Sequence, residues 1–139
     1  MGTTQSIRKI NFEDLQWALQ HPPNILISTM KDHYQNCLIV GTTSIAEEEN
    51  LINSYLQKDT SIRIIIYGTN SSDNSIVDKY AQLCKLGFSN VYIYPGGMFE
   101  WLLLQDVFGD ENFLTTSQEI DILKYKGNQQ LGVLMLKNE

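Results

Sequence analysis

Four short apolar runs punctuate the chain and are separated by longer segments of mixed polarity. Ile25-Leu26-Ile27 follows Pro22-Pro23, and Leu38-Ile39-Val40 closes on Gly41. Ile62 to Tyr67 holds Ile64, Ile65 and Ile66 in succession, and Val91 to Tyr94 ends at Pro95-Gly96-Gly97. Each run is strand-sized and bounded by turn-forming residues. The unbroken isoleucine run predicts a central strand covered on both faces, since strict alternation is needed only where one face meets water.

The intervening segments carry helical signals. Asn11 can cap a first helix with Phe12, Leu15, Trp17, Ala18 and Leu19. Ser44 and Glu47 have capping-box spacing ahead of Leu51, Ile52, Tyr55 and Leu56. Ser75 and Asp78 repeat that spacing, and Ile76, Tyr80, Leu83 and Leu86 follow with helical periodicity. Gly87 then suits a left-handed helix ending, with Phe88 packing back on Leu83. A fourth helix, Met98 to Val107, is apolar over much of its surface. Strands alternating with helices predict an α/β fold with a mostly parallel sheet. In such sheets ligands bind beyond the carboxyl ends of the strands. That rule points to the segment after Tyr67: Gly68, Thr69, Asn70, Ser71, Ser72, Asp73, Asn74 and Ser75.

The order of these features resembles a rhodanese-like domain. The resemblance rests on the apolar strand Ile64 to Tyr67, the small-residue loop Gly68 to Ser75, and Leu86-Gly87-Phe88. It continues through Asn90-Val91-Tyr92, Gly96-Gly97 and Trp101. Singly, Gly87-Phe88 needs only a helix ending and Gly96-Gly97 only a tight turn, and a flavodoxin-like domain can carry both. Their order and spacing together point to the rhodanese-like family. The first half is looser: Ile25 to Met30 stands where the family has a strand ending in Asp-Val-Arg, and Cys37 to Gly41 where it has Gly-His-Ile-Pro-Gly. The resemblance implies a three-layer α/β/α fold around a central, mostly parallel sheet of about five strands. It implies one domain over residues 1–139, with a core near 10–108 and an extension over 109–139 packed on it. The tail, with Phe113, Thr115-Thr116 and Asp121 to Lys126, resembles a subgroup of small single-domain members from protists and large DNA viruses. Within the tail, Ile120 to Tyr125 is expected as a short helix and Leu131 to Leu136 as an edge strand.

The resemblance also implies a catalytic cysteine directly after the central strand, in a loop whose inward N–H groups and following helix lower the thiol pKa. Counted from Tyr67 the position is Gly68, and counted back from Gly87-Phe88 it is near Asn70, because the loop is slightly long. Neither is cysteine. From Ile64 to Asp78 there is no Cys, Lys or Arg, and the charges are Asp73 and Asp78. A persulfide cannot form on another side chain, so no catalytic residue is assigned. Cys84 falls mid-helix and is expected as a buried structural thiol, Cys37 as a modestly exposed one. Ser71, Ser72 and Ser75 have no nearby His in sequence to activate them, although His33 can approach in space. Capping explains these serines, and Asp73 and Asn74 with them.

The expected function is a non-catalytic module that binds a protein or small ligand at loop 68–75. The competing readings are an enzyme of unfamiliar chemistry at Asn70, Ser71, Ser72 and Asp73, and a phosphatase of the rhodanese-related kind. The latter has a longer loop but also needs Cys and Arg. Composition narrows the partners. A net charge of -6 disfavours general binding to nucleic acid or an anionic membrane. The two cysteines and two histidines have no metal-site spacing, and neither metal nor cofactor is expected. With 42% hydrophobic residues, no signal-like N-terminus and no membrane-length apolar stretch, a cytoplasmic protein is expected. Self-association through Phe99 to Leu104 competes with burial of that helix by Phe113 to Leu136.

Overall fold

The computed structural model describes residues 6–132. Three parallel strands form the sheet in the order β1-β2-β3: β1 Asn24–Ser28, β2 Arg63–Tyr67 and β3 Val91–Tyr94. Ile25 lies beside Ile64, and Ile64 beside Val91, so the isoleucine run occupies the centre. Helix α1 (Phe12–Leu19) precedes β1, α2 (Ile45–Lys58) precedes β2, and α3 (Ser75–Leu86) joins β2 to β3. Helix α4 (Gly97–Phe108) follows β3.

Side chains leave successive strand residues on opposite faces, and the core divides accordingly. Leu26, Ile65, Tyr67 and Tyr94 face α1, α4 and the tail, packing with Leu15, Met98, Trp101 and Phe113. Ile25, Ile27, Ile64, Ile66, Val91 and Ile93 face the other layer, with Ile52 of α2 and Ile76, Tyr80 and Leu83 of α3. The result is the expected α/β/α layering.

Among the described residues the sheet has three strands, fewer than the expected number of about five. Its outer positions hold single parallel bridges, Lys9 with Ile93 and Leu26 with Thr42. The segment Leu38 to Val40 is therefore not a strand of the sheet. Its backbone turns at Gly41, where φ is +98°, and α2 starts at Ile45, which leaves too few residues for a ladder. Ile39 instead bridges antiparallel to Thr115, and Leu38 O accepts from Thr116 N at 2.8 Å. Tyr67 fixes this turn: its hydroxyl accepts from Ile39 N at 3.2 Å and lies 2.7 Å from Thr42 Oγ1. Burial pushes that phenol up to about 12.

Helix boundaries follow the sequence except in their caps. Asn11 accepts from Asp14 N, and Asp14 accepts from Asn11 N, a full capping box. Ser44 sits at the N-cap of α2 but makes no side-chain cap bond, so the Ser44–Glu47 box does not form. The Ser75–Asp78 box also fails, because Ser75 is already inside α3. Gly87 ends α3 at φ +118°, with Phe88 N bonded to Leu83 O and Gly87 N to Cys84 O, the Schellman pattern.

Beyond α4, the Phe113 ring packs edge-on to Trp101 at 5.1 Å, and Tyr125 is fully buried. Within Phe99 to Leu104, Trp101 and Leu102 are covered while Leu103 stays 42% exposed. The helix expected at Ile120 to Tyr125 is one 3-10 turn, Ile122–Tyr125. Leu131 and Gly132 form a turn, and the rest of the edge strand expected over Leu131 to Leu136 lies outside the described residues. Among the described residues no helix is long and apolar enough to cross a membrane.

A methyl group on Gly87 would meet nothing within 4 Å, so Gly87→Ala should show the bare backbone penalty of a positive φ. Urea unfolding should report a loss of about 1 kcal/mol; an unchanged midpoint would contradict the helix ending described.

Candidate functional site

Loop 68–75 leaves the carboxyl end of β2, the central strand, and turns at once into α3. Its organising group is the Asp73 carboxylate. Oδ2 accepts from Thr69 N at 2.9 Å, and Oδ1 accepts from Ser75 N at 3.0 Å and from Ser75 Oγ at 2.5 Å. Asp73, not Ser75 or Asn74, therefore supplies the cap of α3; Asn74 makes no side-chain cap bond. Burial pushes the Asp73 pKa up, but the Ser75 hydroxyl and the Thr69 and Ser75 amides outweigh it and hold the carboxyl below its ordinary range.

The same carboxylate covers Gly68. A methyl group there would lie 2.9 Å from Asp73 Cγ and 3.1 Å from Ile76 Cγ2, and would overlap Asp73 Oδ2. The space a side chain at position 68 needs is thus already filled.

Helix α4 closes the loop from below. Its first amides, Met98 N and Phe99 N, donate to Gly68 O and Thr69 O, both at 2.9 Å. Gly97 permits this approach: φ is +68°, and a Cβ would stand 2.7 Å from Gly68 O. Helix N-termini present unpaired N–H groups that attract anions. Here amides at the start of both α3 and α4 meet oxygens of the loop itself.

Thr69, Asn70, Ser72 and Asp73 form one wall of an open polar pocket of about 330 Å³. Tyr34 and the tail residues Lys126, Asn128 and Gln130 complete it. Asn70 ties the tail down through Nδ2, which donates to Tyr125 O at 2.9 Å, while its Oδ1 accepts from Ser72 N at 2.9 Å. Gly68 and Ser75 lie beside this wall rather than in it, and Ser71 and Asn74 do not line the pocket. Ser75 Oγ is 2.7 Å from Thr29 Oγ1 as well as bonded to Asp73, so it is held as a structural hydroxyl. His33 packs against Tyr34 in a tilted pair, ring centroids 4.2 Å apart, and does not line the pocket, which leaves the serines without an activating imidazole there.

The sequence reading missed Tyr34 and the tail contribution. Lys126 brings a cation to a site whose own loop has none, and only the burial of Tyr125 just before it hints at that placement. The cysteines also differ from expectation. Cys37 is buried, with its thiol donating to Ser117 O at 3.3 Å, because the tail covers it. Cys84, on α3, is only partly buried, at the edge of the core.

The chain's residues 13–104 match the model of the Rhodanese-like domain. The chain belongs to the rhodanese-like family. Its fold is similar to the Alr3790 protein from Anabaena sp., at 18% identity and TM-score 0.59, over 83% of this chain and 97% of that one. It is similar to the BH2092 protein from Bacillus halodurans, at 20% identity and TM-score 0.57, over 69% and 72% of the two chains. An uncharacterized protein from Saccharomyces cerevisiae matches at 20% identity and TM-score 0.55, over 77% of this chain and 98% of that one. No curated protein matches the chain significantly.

Two measurements check the loop. Gly68→Ala should cost about 1–3 kcal/mol in urea unfolding, by overpacking and by displacing Asp73 from its donors. In an Asp73→Ala background the added cost should fall, a coupling above about 0.5 kcal/mol; simple additivity would refute the overlap. The second is pH dependence. A carboxyl lowered by folding stabilises above its unfolded pKa and loses that effect as pH falls through the folded value. The stability gap between the wild type and Asp73→Asn should therefore be constant well above the ordinary aspartate value of about 3.9 and shrink as pH falls below it. A gap that widens on acidification would reverse the assignment.

Proposed function

We propose that the chain is a non-catalytic rhodanese-like module that binds a polar ligand or a protein side chain in the pocket beside loop 68–75. The observation that supports this reading is the Asp73 carboxylate over Gly68. A rhodanese-type site needs a thiolate and inward N–H groups facing an anionic donor. This loop has no cysteine, and an internal anion bonds its Thr69 and Ser75 amides. A second anion brought beside that carboxylate would meet repulsion at close range in a partly desolvated place. What remains open is the wall of hydroxyls and amides facing Lys126, which suits hydrogen-bonded recognition rather than sulfur transfer.

Incubation with thiosulfate and cyanide should give thiocyanate at the uncatalysed rate. Gly68→Cys should stay inactive, because the Asp73 carboxylate, pushed off its donors but still beside position 68, opposes both a thiolate and an anionic donor. Turnover by the wild type would overturn the reading, as would full activity restored by that single substitution.

A further inference from the structure

A second surface, remote in purpose from loop 68–75, is open between α2 and α3. Helix α2 has 14 residues, yet Ile52 is its one buried residue. Toward α3 it turns Ile45, Glu48, Glu49, Ile52 and Asn53, the spacing of a single helical face. Helix α3 answers with Lys79, Gln82, Leu83 and Leu86, again one face. Between them runs a groove of about 340 Å³ with Ile52 and Leu83 as its apolar floor. Its apolar walls stand in solvent: Ile45 is 54% and Leu86 47% exposed.

We propose that this groove docks an amphipathic helix of a partner protein that carries basic residues along one flank. The charge of the rim selects the partner. Lys79 is the one cation lining the groove, and it is paired with Glu48. Glu49 also lines the groove and makes no ion pair among the described residues, so it is the rim carboxylate left open to a basic residue. Lys or Arg on the incoming helix would meet Glu49 while apolar residues enter between Ile45 and Leu86. The groove follows α2 from residue 45 to 53, about 12 Å at 1.5 Å per residue, so it accepts roughly two turns. A strand would require an open sheet edge to satisfy its backbone, and the groove is walled by two helices. A helix satisfies its own backbone and needs only side-chain packing into such a groove.

The full ¹⁵N-labelled chain can be titrated with an 18-residue Leu/Lys peptide of helical periodicity, and with a scrambled peptide of the same composition. Amide shifts should cluster on Ile45, Glu49, Gln82 and Leu86, with at least tenfold tighter binding of the periodic peptide. The exposed substitutions Ile45→Gln and Leu86→Gln should each weaken binding several-fold with unchanged circular dichroism, and Glu49→Lys should do so through charge. Equal binding of both peptides, or shifts confined to another surface, would overturn the proposal. Concentration-dependent dimerisation abolished by Leu86→Gln would overturn it in favour of a second copy of this chain.

Discussion

The loop after β2 is folded around a negative charge of its own. The Asp73 carboxylate reaches back to Thr69 N and forward to Ser75 N and Ser75 Oγ, so one side chain closes the turn and caps α3. Because it lies over Gly68, it also sets what position 68 can be: any β-carbon there competes with it for the same space. The approach of α4 depends on the resulting backbone path, since Met98 N and Phe99 N bond to Gly68 O and Thr69 O. Gly97 is required at that contact for the same reason. Two glycines and one aspartate thus hold the end of the central strand in a single arrangement.

That arrangement leaves the start of α3 already occupied by a carboxylate of the loop. The carboxyl end of a central parallel strand, beside helix N-termini, is a setting that favours anions. In this chain that setting persists, but the anion at the start of α3 is covalently part of the protein. The tail also reaches this end of the sheet. Asn70 bonds to Tyr125 O, and Lys126, Asn128 and Gln130 follow as a polar wall. Binding at this place would draw on residues far apart in sequence.

Much of the fold could be read from the sequence because its signals are local. The isoleucine run marks the central strand, and Gly87-Phe88 marks the end of α3 through backbone sterics alone. The place of loop 68–75 was legible, since it follows the central strand as expected, and its lack of Cys, Lys and Arg is plain in the sequence. Its internal geometry was not, because Asp73 and Ser75 both suit a cap and only the turn decides which one does so. The strand misread at Leu38 to Val40 has a tertiary cause, since that segment pairs with Thr115 across more than seventy residues. Tyr34 and Lys126 escaped notice for the same reason.

The direct test is the titration of Asp73 itself, followed through its carboxyl ¹³C shift from pH 7 downward in the full chain. The account predicts a midpoint below the ordinary aspartate value of about 3.9, with the Thr69 and Ser75 amide protons shifting in the same step. A midpoint at or above that value, or amides that ignore the titration, would contradict a carboxylate bound into the loop.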